Sequence, residues 1–354
     1  MRTGKNPAKT GLPAYSPNRL GAALILYIPF TEGYFEHSLE IFRYQVESLR
    51  LATGQPFDLL VFDNGSCPEV VAELQSLHAR GWIDWLLLSN HNMGKAGAWN
   101  WIFSAMPNEL ICYADSDVLF RPGWLEASLQ VLAAFPQAGM VAAQPNFYDV
   151  MEGQGQAQAA LRGDANFVFG EYRPAPEIVD EYCLGINADE ELAARFHAAP
   201  LPSVTNREKG IQAVLGASHM QFIIPRDVAR QVTPLPATRG LLRKETMSLD
   251  YRTDELGYLH LSVFEPYVFH MGNTINEHLL QEIAALRGAQ ITEKTNGQAA
   301  AVPQTAPGSR KPARNPSTAM RWAVALSKRP RFQRLFLRLY DFLFRVLNTE
   351  GQKK

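Results

Sequence analysis

From Ala22 to Gln144 short, continuous apolar runs alternate with longer amphipathic stretches, and few folds accept that rhythm. The apolar runs are AALILYIP (22–29), FDLLVFD (57–63), IDWLLLS (83–89), LICYAD (110–115) and GMVAAQ (139–144). None shows the strict alternation of a half-buried strand, so each reads as a strand covered on both faces. Between them, Tyr34–Leu51, Pro68–His78, residues 94–105 and Pro122–Ala134 carry apolar side chains at helical spacing. Strand, helix and strand in this order predict an α/β class, a mostly parallel sheet flanked by helices, with right-handed crossovers.

The remainder is less regular. Residues 146–210 hold Gly- and Gln-rich stretches and read as an inserted loop or lid; no role is assigned to 146–215. MQFIIP (220–225) and YLHLSVFEPYVFH (258–270) read as further strands. The predicted division is a flexible leader at 1–20, one domain at 21–286 split near 145, a linker at 287–318 and a tail at 319–354. The linker is poor in large apolar residues and rich in Ala, Pro and Gln. In the tail, Phe332, Leu335, Phe336, Leu339, Leu343, Val346 and Leu347 recur at three- and four-residue spacing, with Arg331, Arg334, Arg338 and Arg345 largely off that stripe. This predicts a basic amphipathic helix, suited to an anionic membrane surface or, alternatively, to packing on the body or a partner helix.

Charge agrees with that division. Residues 287–354 carry 14 of the 34 basic and 3 of the 35 acidic side chains, so an acidic body precedes a basic tail although the net charge is only −1. The near-zero net charge gives no reason to expect a nucleic-acid partner. Three widely spaced cysteines, Cys67, Cys112 and Cys183, build no disulfide framework or zinc ribbon and fit a reducing compartment. The run Ala22–Phe30 resembles a signal peptide, but Thr31-Glu32-Gly33 follows instead of a cleavage site. No stretch of about 18 uncharged apolar residues exists, so no spanning helix is expected.

Three segments at strand ends carry chemistry, where ligands of open α/β sheets bind. Asp115-Ser116-Asp117 follows LICYA, and two carboxylates one residue apart can share a divalent cation; a solvated turn or helix cap is the alternative. Asp63-Asn64-Gly65-Ser66 follows FDLLVF and offers an acceptor to a base or ribose, or else an Asx-turn opening the helix at Pro68. His91 to Asn100 reads HNMGKAGAWN; small residues there permit close approach to a phosphate at a helix N-terminus, or simply tight helix–sheet packing. It is neither a P-loop nor a GxGxxG fingerprint.

The order and placement of these segments resemble the family-2 glycosyltransferases of GT-A fold. Ile28-Pro29-Phe30-Thr31 resembles the family's Pro-containing loop, and the elements at Asp63–Ser66, Asn92–Asn100 and Asp115–Asp117 follow in the family's order over about residues 22–145, more loosely up to 273. The resemblance implies a nucleotide-sugar-binding half at 21–145 and an acceptor half at 146–286. It implies that Pro29 and Phe30 line the base slot, that Asp63 contacts the base, that Asn92, Gly94 and Lys95 sit near ribose and diphosphate, and that Asp115 and Asp117 bind Mn2+ or Mg2+. UDP is the default nucleotide. The implied activity is metal-dependent, inverting transfer of a sugar to an acceptor hydroxyl on a glycan or lipid-linked acceptor. Its implied setting is cell-surface polysaccharide or lipid-linked glycan synthesis, at the cytoplasmic, inner face of the plasma membrane. A sugar nucleotidyltransferase and an inactive membrane-associated scaffold of the same fold are the rival readings.

An inverting member needs a general base, which the family supplies from a Glu-Asp element absent here. Asp250 is the first choice, then Asp254, then Glu245. Gly216–Met220 and the strand ending at Arg226 resemble the family's acceptor-side turn; His91 and His219 carry no metal reading, though His219 could face an acceptor. His270, at the end of YVFH, is a candidate metal ligand or a satisfied, half-buried histidine. Trp82, Trp85, Trp99, Trp101 and Trp124 read as core and interface bodies, with Trp124 near enough to the DxD to touch a sugar. Cys112 reads as buried and inert.

Overall fold

The computed structural model describes residues 15–147, 155–236 and 242–296. The first fourteen residues, most of the expected linker and the whole expected tail helix lie outside the described residues. The chain opens with β1 (Leu20–Leu26), α1 (Ser38–Ala52), β2 (Phe57–Asp63), α2 (Pro68–Ala79), β3 (Trp85–Leu88), α3 (Gly94–Ala105) and β4 (Leu110–Ala114). A three-residue strand β5 (Val118–Phe120), then α4 (Trp124–Ala134) and β6 (Ala138–Ala142) follow. The second half holds α5 (Gly155–Arg162), β7 (Phe167–Tyr172), α6 (Pro176–Ile186), α7 (Glu190–Ala198), β8 (Leu201–Asn206), β9 (Ile211–Leu215) and β10 (Gln221–Pro225). It ends with α8 (Arg226–Val232), α9 (Leu242–Glu255), β11 (Leu259–Ser262), β12 (Val268–His270) and α10 (Glu277–Asn296).

Ten strands form one mixed sheet in the order β3-β2-β1-β4-β10-β6-β11-β9-β8-β7. The first four neighbours are parallel, and β1, β2 and β4 are buried on both faces as their continuous apolar runs require, whereas β3, at the sheet edge, is only partly covered and leaves Leu88 exposed. Alternate residues of one strand feed different cores. Ala22, Leu24 and Leu26 pack with α1 and α2, whereas Ala23 packs with Phe62, Ile111, Tyr113 and Trp99 of α3 on the other face. At about 1.5–3 kcal/mol for each large apolar side chain taken out of water, this double burial fixes the register.

Several expectations change. The segment 146–210 is not a loop: around the undescribed 148–154 it builds helices α5 to α7 and the antiparallel run β7-β8-β9, which extends the sheet. The run 258–270 is broken at Phe264-Glu265-Pro266, and its two strands join different sheets. Helix α10 crosses the boundary placed at 286, so part of the Ala- and Gln-rich segment is helical. Tyr15 packs edge-on against Trp85, and Asn18 is held by Asp58, so the end of the expected leader is fixed to the sheet. Among the described residues no helix is long and apolar enough to cross a membrane.

The second sheet positions the site. β5 and β12 pair antiparallel, with Val118 opposite His270. Met271 N–H donates to Asp117 O at 2.8 Å, and Arg121 N–H to Tyr267 O at 2.9 Å. This ribbon leaves the sheet immediately after Asp117 and brings a residue 153 positions later beside it.

Candidate active site

β1, β2, β3 and β4 end along one edge of the sheet, so Asp63, Ser89 and Asp115 stand side by side in space. Two loops are tied together there. Asn64 Nδ2 donates to Asn92 Oδ1 at 3.2 Å, Met93 N–H donates to Asn64 Oδ1 at 2.9 Å, and Gly94 N–H donates to Asn92 Oδ1 at 2.9 Å. Gly65 has φ +94°, and a Cβ on it would stand 3.1 Å from Asn92 N, so this contact needs a glycine. Asn92 and Gly94 are thereby placed at the rim by a hydrogen-bonded loop pair rather than by helix packing.

Asp63 is 1% exposed. Burial raises its carboxyl above the ordinary value, and hydrogen bonds from Ser66 and Gly65 pull it partway back. Ser66 Oγ in turn accepts from Ile28 N–H at 2.9 Å, which fixes the strand β1 exit and hence Pro29 and Phe30. Phe30 is half exposed and meets Phe35 edge-on at 5.2 Å, leaving an aromatic surface beside the buried Asp63 loop.

The DxD lies in a turn, not on a strand as expected, and its two carboxylates have different partners. Lys95 Nζ lies 2.7 Å from Asp115 Oδ1 and donates also to His219 O at 2.9 Å. The hydroxyl of the buried Tyr113 donates to Asp115, and the Gln45 side chain donates to the Asp115 carbonyl. Asp117 instead faces His270, with Nε2 3.3 Å from Oδ2. Burial pushes the Asp117 carboxyl up from its ordinary value; His270 and Lys95 oppose the rise, and Asp115 adds to it.

His270 Nδ1 lies 2.7 Å from Gly185 O, so in the neutral ring Nδ1 carries the proton and Nε2 presents its lone pair toward Asp117. A carboxylate pair plus an imidazole with its outer nitrogen already bonded is a donor set that fits a divalent cation of the Mn2+ or Mg2+ type. Asp117 and His270 would hold it, with Asp115 as the further oxygen donor.

Below this ribbon Arg121 binds Glu181 of α6 through Nη1 and Nη2 at 2.9 and 2.6 Å, and Glu282 of α10 through Nε at 2.9 Å. Glu181, His278 and Glu282 are the group of three donor atoms within 4.8 Å of one another among the described residues. One guanidinium bridges both carboxylates, so this cluster is an ion-pair clamp between two helices and the ribbon.

The downstream residues separate. Asp254 accepts N–H bonds from Gln156 and Ala157 at 3.1–3.3 Å and caps the N-terminus of α5; this commitment removes it as a base. Asp250 lies among histidines: His219 Nε2 is 2.8 Å and His260 Nδ1 3.4 Å from its Oδ1. The Glu245 side chain lies outside the described residues. Arg226 falls at the opposite edge of the sheet, because β10 runs antiparallel and places Pro225 beside Leu110. Trp124 is fully buried against Phe120 and touches no ligand space, whereas Trp101 is exposed rather than core. Cys112 is buried as expected, its thiol pushed up to about 12.

The features that sequence reading missed are the Lys95–Asp115 pair, the Gly185 carbonyl and the His260 side of Asp250. Only β5 had a visible signal, the apolar Val118-Leu119-Phe120 between Asp117 and Arg121.

No curated protein matches the chain in sequence. Among solved structures it resembles GalNAc-T7 bound to UDP, GalNAc and Mn2+, with a TM-score of 0.43 and 11% identity over 72% of this chain. It spans 43% of that protein's length. It also resembles the mannosyltransferase PcManGT from Pyrobaculum calidifontis in complex with GDP-Man and Mn2+, with a TM-score of 0.42 and 10% identity over 98% of this chain and 92% of that one. Residues 35–184 match the sequence model of Glycosyl transferase family 2, a span that opens before α1 and runs through Asp63, Lys95 and the DxD to the end of α6. Over that span, less than half of the chain, the sequence is similar to glycosyl transferase family 2 and folds as an α/β unit.

Proposed function

We propose that the chain moves a sugar from a nucleotide sugar to an acceptor hydroxyl in a single, inverting displacement that requires Mn2+ or Mg2+. The observation that supports it is the meeting of Asp115 and Asp117, inside the family span, with His270, which lies well outside it, at the carboxyl edge of the sheet. When bound, the cation supplies Lewis-acid stabilisation of the departing nucleoside diphosphate. Asp63, with Pro29 and Phe30, forms the base slot; Asn92, Gly94 and Lys95 border ribose and diphosphate. The Asp250 neighbourhood handles the acceptor proton. UDP is the default nucleotide.

The acceptor belongs to surface polysaccharide or to a lipid-linked glycan. The basic segment Phe332–Leu347 supports this, since such a stripe suits an anionic membrane on the inner face, where lipid-linked acceptors lie. The test is the melting temperature with UDP, GDP, dTDP and CMP, each with Mn2+ and with EDTA. Ligand at about 100 times its Kd stabilises by about 2.7 kcal/mol. A rise with one nucleotide that disappears in EDTA supports donor class and metal together; no rise with any of them sinks the reading. Asp117→Ala separates it from an inactive scaffold, since only an enzyme loses transfer.

A further inference from the structure

Asp250 was the expected base, yet the carboxylate is enclosed by imidazoles. His219 lies in the loop Gly216–Met220 that leads into β10, at the edge of the sheet where Asp115 N–H donates to Met220 O at 2.8 Å. Its carbonyl accepts from Lys95, the same ammonium that pairs with Asp115, so one side chain separates this histidine from the DxD. Its Nε2 lies 2.8 Å from Asp250 Oδ1. Its Nδ1 has no hydrogen-bond partner among the described residues, and its side chain is 24% exposed against 16% for Asp250. Behind the carboxylate, His260 is 2% exposed and presents Nδ1 to the same oxygen at 3.4 Å, while Thr253 Oγ meets its Nε2.

We propose that His219 is the group that accepts the proton of the attacking hydroxyl, and that Asp250 is its positioning partner. The inference rests on the glycosyl-transfer reading above. A carboxylate on Nε2 keeps the proton there in the neutral ring and leaves Nδ1 as the base, the division of labour by which carboxylates orient catalytic imidazoles. In the step, the acceptor oxygen bonds to the anomeric carbon as its proton passes to Nδ1. The bond from that carbon to the phosphate oxygen breaks, and its electron pair leaves with the nucleoside diphosphate. The imidazolium then faces Asp250 and later returns its proton to water.

The groups around His219 suit this role. Asp250 comes from α9 and His260 from β11, the Trp99 ring of α3 stands 6.3 Å away, and Lys95 Nζ donates to the His219 carbonyl. Burial lowers the His260 value, so that ring stays neutral and no second positive charge opposes the imidazolium. The Thr253 hydroxyl, within 2.9 Å of the Leu249 and Asp250 carbonyls, anchors His260 to α9.

The test uses the full chain, His219→Asn, Asp250→Asn and Asp250→Ala. Calorimetry with UDP and GDP plus Mn2+ reports donor binding, and release of nucleoside diphosphate from UDP-glucose, UDP-N-acetylglucosamine and GDP-mannose reports turnover against pH. The low-field imidazole N–H signal of 15N-histidine protein reports the His219–Asp250 bond. Expected are unchanged nucleotide binding in His219→Asn, turnover lower by about 10²–10⁴-fold, and loss of the acidic limb of the pH profile. Asp250→Asn should also slow turnover, and both Asp250 variants should lose the low-field signal. Turnover of His219→Asn within about threefold of wild type with the same pH profile overturns the inference and returns the base to Asp250, since a general base contributes far more than that. If wild type binds nucleotide but turns over none of the three donors, the low-field signal decides: its absence, or its survival in Asp250→Ala, overturns the pairing. Wild type that binds neither nucleotide with Mn2+ overturns the glycosyl-transfer reading itself, and this inference with it.

Discussion

The carbonyl oxygen of Gly185 lies 2.7 Å from Nδ1 of His270, and this one contact decides which nitrogen of the ring can bind a cation. The approach exists because residue 185 has no side chain: a Cβ there would stand 2.7 Å from the His270 carbonyl oxygen and 3.1 Å from its Cβ. Gly185→Ala therefore forces the end of α6 away from β12 and frees the His270 ring. Loss of an outer-shell partner of this kind typically costs about 10–100-fold in metal affinity. Mn2+ titration followed by electron paramagnetic resonance should show that loss with the far-UV spectrum unchanged. Wild-type affinity in this variant would remove His270 from the ligand set.

Lys95 competes with any cation for Asp115. Its Nζ stands 2.7 Å from Oδ1 and 2.9 Å from Oδ2, over the rings of Trp99 and Tyr113 at 5.4 and 5.3 Å. Lys95→Met removes the competitor and also a positive charge from the diphosphate side. Mn2+ alone should bind about tenfold more tightly, a change of about 1.4 kcal/mol. UDP in the presence of saturating Mn2+ should bind more weakly. Calorimetry of the two ligands separately distinguishes these opposite shifts, and a parallel change in both would show that Lys95 serves only the fold.

The sequence made the parallel half of the fold legible because buried strands and their helices carry strong, local patterns: FDLLVFD ends at Asp63 as β2 does, and LICYAD ends one residue beyond β4. It hid the ribbon, because β5 and β12 have three residues each and their pairing spans about 150 positions. The site divides the same way. Asp63, Lys95, Asp115 and Asp117 sit at strand ends and helix starts that local pattern reveals. What each side chain touches depends on residues far away in sequence: Gly185 for His270, His219 for Asp250, and Gln156 for Asp254.

Asp254 shows what that distance conceals. Four residues from Asp250 on one helix and the second choice by sequence, it caps α5 from across the chain. Asp254→Ala should cost about 1 kcal/mol, the usual range for a lost N-cap. Urea unfolding should report this as a lower midpoint at constant m-value. Turnover per folded molecule should stay at the wild-type level, in contrast to Asp250→Ala. A drop in kcat as large as that of Asp250→Ala would restore Asp254 to the site.

Asp63 makes a pH-dependent prediction whose sign is fixed by burial. Its folded value lies above the ordinary 3.8 because the carboxylate is desolvated. Folding therefore favours the protonated form, and the contribution of this group to stability is fully present below 3.8 and lost as pH rises through the folded value. Asparagine keeps an oxygen for the Ser66 N–H, now 3.2 Å from Oδ1, and has no charge to desolvate. The stability of Asp63→Asn relative to wild type should therefore grow from about pH 4 upward and then level off, read by urea unfolding between about pH 3.5 and 7. The same variant should bind UDP with Mn2+ more weakly, since wild type tolerates a buried charge at this position where a base would need an acceptor. A stability difference that stays flat with pH would show that Asp63 is no more costly to ionise folded than unfolded, and would remove burial as the reason for its position.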